Sequence, residues 1–91
     1  MNDLLIRKTE EGDVAAIAGI ERQCFSLPWS ESALCFELQR DDARFFTAVY
    51  DGNIAGYMGA HSVLGEVYIT NIAVLPEYRR KGIASALLNR M

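Results

Sequence analysis

Arg79, Arg80 and Lys81 stand directly before Gly82, and the small residues Ala84 and Ser85 follow, at the point where an apolar strand gives way to a helix. Cations are misplaced there. A helix N-terminus already carries unpaired N–H groups and about half a positive charge, so each added cation costs roughly some tenths of a kcal/mol. A bound polyanion reverses the sign of that effect. Gly82 has no Cβ, so an anion can approach the backbone closely, and Ala84 and Ser85 keep the first turn open. The geometry suits a pyrophosphate. Charge alone favours a solvated surface turn; the preceding strand, Pro76, Gly82 and the upstream Pro28-Trp29 together favour a ligand site.

Arg79-x-x-Gly82-x-Ala84, after the strand Val67-Tyr68-Ile69-Thr70-Asn71-Ile72-Ala73-Val74, resembles the acyl-CoA signature of the GCN5-related N-acetyltransferase (GNAT) superfamily. Asn71-Ile72-Ala73-Val74, with Pro76, Tyr78, Arg80, Gly82 and Ala86-Leu87-Leu88, is most similar to the RimI-type ribosomal-protein-alanine N-acetyltransferases. Cys24-Phe25-Ser26-Leu27-Pro28-Trp29-Ser30 is similar to the segment those enzymes carry between their first two helices. The resemblance implies acetyl transfer from acetyl-CoA to a protein N-terminal amine, with alanine on a ribosomal protein as acceptor and no metal. A GNAT acting on lysine or a small amine is the second enzyme reading. A non-catalytic half-domain that binds CoA or associates with another copy is the reading from a different class.

By that resemblance the fourth strand bears a bulge, beyond which the main chain of Ile72, Ala73 and Val74 hydrogen-bonds the pantetheine arm as an added strand would. The pyrophosphate would rest on the N–H groups from Arg80 through Lys81, Gly82, Ile83 and Ala84 to Ser85, with Arg79, Arg80 and Lys81 supplying charge-assisted contacts. Plain core packing is the other reading of Ile72 and Val74, and both hold at once because the contacts come from the main chain. The family's glutamate base and tyrosine acid are expected beyond Met91. Within the chain, Glu66 and Tyr68 lie two residues apart on one face of a strand, where other members of the superfamily place acid/base groups. A solvated strand edge is the alternative for them. Trp29 either lines the acceptor pocket or anchors the core.

His61, the sole histidine, reads as an ordinary strand-end residue, since no motif sets a carboxylate or nucleophile beside it. Cys24 and Cys35 are the only cysteines, without a Cys-x-x-Cys or Cys/His cluster, so a zinc site is not expected. One disulfide is open to them; buried thiols in a reducing compartment are the favoured reading.

These residues need a scaffold. Leu4-Leu5-Ile6-Arg7-Lys8 reads as a first strand, and Val14, Ile17, Ile20 and Cys24 recur at helical spacing from a start near Asp13. Pro28 stops that helix, and Ser30 caps a second one running to about Asp41. From Arg44 the pattern turns to strand: 45–50, the turn Asp51-Gly52-Asn53, then 54–61, and after Gly65 a long strand from Glu66 to Leu75. A last helix from Gly82 sets Ile83, Leu87, Leu88 and Met91 on one face. The order β-α-α-β-β-β-α with a largely antiparallel sheet gives an α/β (α+β) class and corresponds to the N-terminal portion of a GNAT fold. Residues 1–91 are thus expected to form one incomplete acetyltransferase domain, whose open strand edge invites a homodimer.

Composition agrees. In 91 residues, 51% hydrophobic and 23% charged, one small core fits and no second domain does. The net charge of −3 argues against a nucleic-acid binder, and the apolar runs are too short for a bilayer. The start Met1-Asn2-Asp3-Leu4 lacks a basic n-region and long apolar core, so a cytoplasmic location is expected.

Overall fold

Strand and helix alternate in the computed structural model as the periodicities require; it describes residues 3–90. β1 (Leu4–Lys8) leads through a 3-10 turn to α1 (Val14–Cys24) and α2 (Glu31–Leu38). β2 (Ala43–Tyr50), β3 (Asn53–Val63) and β4 (Glu66–Val74) follow, then a 3-10 turn at Pro76–Tyr78 and α3 (Ile83–Asn89). All strand pairs are antiparallel, in the spatial order β1-β2-β3-β4. This is the expected mixed α/β order.

Period-two alternation divides the core between the two faces of the sheet. Tyr57 and Ala73 point to α1 and α2, where Val14, Ile17, Ile20 and Leu34 are buried. Met58, Ile72 and Val74 point to the opposite face, against Ile83 and Leu87 of α3. Burying those two α3 side chains contributes about 1.5–3 kcal/mol each. Leu88 departs from the expected stripe: it lies about 100° around the helix from Leu87 and stays 46% exposed. Met91, also assigned to that face, lies outside the described residues.

Both ends of the first layer are tied by polar groups. Arg7 donates from Nη1 and Nη2 to Asp13 Oδ2 and Oδ1 at 2.7 and 2.9 Å, and the Glu10 N–H reaches the same carboxylate at 2.8 Å. The Ala33 N–H donates to Ser30 Oγ at 3.2 Å and caps α2 as its sequence predicts. α2 stops at Leu38, short of the expected Asp41. Arg40 N–H turns back to Glu37 O at 3.2 Å, and Ala43 is already paired with His61 on β3. Sheet pairing overrides the helical pattern there.

The β4 register carries the feature that shapes the site. Gly59 pairs with Asn71 but Ala60 with Ile69, so Thr70 is an extra residue on β4. Its hydroxyl donates to Gly59 O at 3.1 Å. This is a β-bulge, which bends the strand locally.

Candidate functional site

Beyond the bulge, β4 is an edge strand. The Leu75 N–H donates to Ala55 O at 2.8 Å toward β3, so by alternation the main-chain groups of Ile72 and Val74 turn to the open edge. The Val74 carbonyl confirms the direction, accepting from Arg79 Nε at 3.0 Å and from Cys24 Sγ at 3.6 Å. Side-chain packing and an outward-facing main chain therefore coexist on Ile72 and Val74, whereas the main chain of Ala73, expected on the same edge, faces β3 with its carbonyl beside Gly56.

The turn after β4 provides a concave backbone. Arg80 and Gly82 have left-handed φ values of +66° and +77°, and alternation of hand along a turn brings successive N–H groups to one side, an anion-binding nest. Holding a non-glycine residue there costs about 1–2 kcal/mol. Nothing lies within 4 Å of the position a Gly82 Cβ would take, so the space in front of the turn is open. A pyrophosphate fits that arrangement.

Edge and turn face one pocket of about 470 Å³. It gathers Ile72, Ala73 and Val74 of β4, Arg79, Arg80 and Gly82 of the turn, and Ile83, Ala84 and Ser85 of α3. Cys24, Phe25 and Tyr78 complete its wall. Lys81 does not line it: its ammonium sits 5.5 Å from the centre of the Tyr50 ring, a cation–π contact. Arg79 lines the pocket but is turned back onto β4, with Nη2 3.6 Å from Cys24 Sγ.

Glu66 and Tyr68 share a face of β4, as expected, and bond each other at 2.5 Å. The carboxylate accepting from its hydroxyl raises the Tyr68 phenol above its ordinary pKa. Both are exposed, and neither lines the pocket. Trp29 packs half-buried against the α1/α2 core, as its core-anchor reading expects, and also walls a second pocket, of about 530 Å³, with Pro28, Ser30, Ala33, Phe36 and Glu37. Cys24 and Cys35 are half-buried free thiols.

Sequence reasoning missed two groupings. Glu37 of α2 lies 2.9 Å from His61 Nε2, a long-range partner that no motif announces. Glu21 is fully buried, with its carboxylate accepting from Tyr57 Oη at 2.5 Å, the Trp29 N–H at 3.0 Å and Asn71 Nδ2 at 3.3 Å. Its signal was available: Glu21 falls four residues after Ile17 and three after Ala18, on the apolar stripe of α1. Burial, and then the Glu21 carboxylate, push the Tyr57 phenol far above its ordinary range.

Residues 14–91 match the Acetyltransferase (GNAT) family. The chain belongs to that family. Among GNAT proteins, it is 33% identical over 86 residues to the [ribosomal protein bS18]-alanine N-acetyltransferase of Escherichia coli K12, covering 94% of this chain and 57% of that protein. To the N-alpha-acetyltransferase of Saccharolobus solfataricus it is 31% identical over 100 residues, covering 94% and 59%. The crystal structure of the Escherichia coli ribosomal-protein-S18-alanine N-acetyltransferase superposes with a TM-score of 0.86 at 33% identity, covering 99% of this chain and 56% of that one. This GNAT chain spans 55% to 60% of the length of such curated relatives.

Proposed function

We propose that the chain is the N-terminal, donor-binding portion of an acetyl-CoA-dependent N-acetyltransferase that acts on a protein N-terminal amine, alanine of a ribosomal protein being the acceptor. The observation that supports it is the convergence, in one pocket, of a bulge-freed strand edge and a nested basic turn. The pantetheine amides would add to the edge at Ile72 and Val74, and the pyrophosphate would take the N–H groups from Arg80 to Ser85. The acceptor amine, uncharged, attacks the thioester carbonyl carbon; the C–N bond forms, the C–S bond breaks, the nitrogen gives up one proton to the base and the departing thiolate takes one from the acid. An edge N–H polarises the carbonyl as charge develops on its oxygen. Base and acid belong, by the same resemblance, to family elements outside these 91 residues, with Glu66 and Tyr68 the candidates within them. Trp29 lines the acceptor side. The proposal includes a cytoplasmic setting; among the described residues no helix is long and apolar enough to cross a membrane.

Isothermal titration of the 91-residue chain with acetyl-CoA tests this, with Gly82→Glu as control. Saturable binding that the control loses is expected. Absence of binding by a cooperatively folded wild-type chain overturns donor binding by this portion.

One observation favours a second reading, a half-domain that self-associates. Val67, Tyr68 and Ile69 on the β4 edge are 49%, 53% and 46% exposed, an apolar run open to strand addition. Sedimentation across a concentration series separates the two: a dimer that acetyl-CoA leaves intact favours association through this edge.

A further inference from the structure

The segment between α1 and α2 is a partition. Cys24 and Phe25, where it leaves α1, wall the 470 Å³ pocket, while Pro28, Trp29 and Ser30, where it enters α2, wall the 530 Å³ one. Between the two helices the segment has no regular structure, so something else must hold the end that enters α2. Glu21 does so. Its Oε1 accepts from the Trp29 main-chain N–H, and its Oε2 from Tyr57 Oη on β3 and Asn71 Nδ2 on β4. Asn71 is the residue directly after the bulge and directly before Ile72, the first edge residue of the donor pocket.

We propose that Glu21 is a positioning residue for acyl transfer, clamping the Trp29 partition to the bulged strand and thereby setting the spacing between the donor pocket and the acceptor side. The inference rests on the reading of those pockets given above. Three donors converge on one side chain with no room for solvent. Among side chains of this size only an ionised carboxylate accepts at both ends, and burying it is tolerable because all three donors are supplied. Glutamine, with its carbonyl toward the fixed Trp29 N–H and its NH₂ toward Tyr57 and Asn71, which can both turn to accept, keeps the clamp in neutral form. Methionine fills a similar volume but offers no comparable acceptor to either side. A residue serving packing alone would be replaced with equal effect by either; the clamp requires a group that bonds in two directions.

Trp29 is the sole tryptophan, so its fluorescence reads the clamp without any ligand. The experiment is acrylamide quenching of the 91-residue chain as wild type, Glu21→Met, Glu21→Gln and Asn71→Ala, each with its unfolding curve, followed by titration with coenzyme A. Loss of a buried hydrogen bond shifts a local equilibrium by about fivefold or more, so the Trp29 quenching constant should rise about twofold or more in Glu21→Met and stay near the wild-type value in Glu21→Gln. Asn71→Ala removes only the β4 arm and should give an intermediate rise, and it decides the matter where Glu21→Met does not fold. Wild-type quenching in whichever of Glu21→Met and Asn71→Ala folds overturns the clamp. The coenzyme A arm is read separately: failure of the wild type to bind counts against the donor pocket, while the ligand-free quenching still decides whether Glu21 holds the partition.

Discussion

Gly56 on β3 and Ala73 on β4 approach so closely that a Cβ on Gly56 would stand 2.6 Å from the Ala73 carbonyl oxygen. The obstacle is backbone on an edge strand that also lines the 470 Å³ pocket, so it cannot swing aside as a flexible side chain can. Gly56→Ala must therefore push β4 outward just past its bulge. The expected destabilisation is about 1–3 kcal/mol, seen as a lower denaturant midpoint with an unchanged slope. Acetyl-CoA affinity should fall beyond what the unfolded fraction explains; an unchanged dissociation constant in the folded variant would show that the edge tolerates displacement.

Arg79 and Lys81 stand on either side of Arg80 in the basic cluster yet are differently placed, one lining the pocket and one over Tyr50. A charge-assisted contact to phosphate contributes about 1.5–3 kcal/mol, so Arg79→Ala should weaken acetyl-CoA binding by roughly tenfold or more. Lys81→Ala should cost less than about threefold, as expected of an exposed charge acting across solvent. Calorimetry on the two variants at one ionic strength checks this. Equal losses would mean that Lys81 leaves Tyr50 when the donor binds.

The contrast between these two residues marks how far the sequence was legible. Strand order, the hairpin at Asp51-Gly52, the buried stripe of α1 and the basic turn follow from local pattern: period, turn chemistry and charge next to glycine. Which way Lys81 leans depends on Tyr50, thirty-one positions earlier and brought near only by the sheet. The Glu21 network and the Glu37–His61 pair are hidden for the same reason, since their partners lie 36, 8, 50 and 24 residues away. α2 was overextended because helical periodicity carries no record of where β2 begins to pair. Thr70, the extra residue of β4, is legible only in register.

Asp13 should govern part of the acid limb of stability. The Arg7 guanidinium, donating to its buried carboxylate, holds its pKa below the usual 3.8. A carboxylate with a depressed folded-state pKa stabilises the protein above its unfolded pKa, and that contribution is lost as pH falls through the folded value. Wild-type stability should therefore drop from pH about 4 downward, and Asp13→Asn should flatten that drop while lowering stability at neutral pH by about 1–3 kcal/mol. Urea unfolding between pH 2.5 and 7 measures both effects. Parallel curves for the two proteins would remove Asp13 from the acid transition.

Tyr57 should act at the other end of the pH scale. Burial and the Glu21 carboxylate both disfavour its phenolate, so the folded protein holds this proton more tightly than the unfolded chain, whose phenol titrates near 10.0. A raised pKa gives stability that is complete below the unfolded value and declines as pH rises past it. Above pH 10 the wild type should lose about 1.4 kcal/mol per pH unit through this one group. Tyr57→Phe lacks that loss. At pH 7 the variant should be less stable by about 1–3 kcal/mol, because a buried oxygen of Glu21 is left without its shortest donor. The gap between the two proteins should then narrow from pH 10 to 11 by about 1 kcal/mol, since the unfolded phenol is only half ionised at pH 10, whatever the lysines and other tyrosines contribute to both. A gap that stays constant over that interval would mean that the hydroxyl ionises as readily inside the fold as outside it, and the short bond to Glu21 would have to be abandoned.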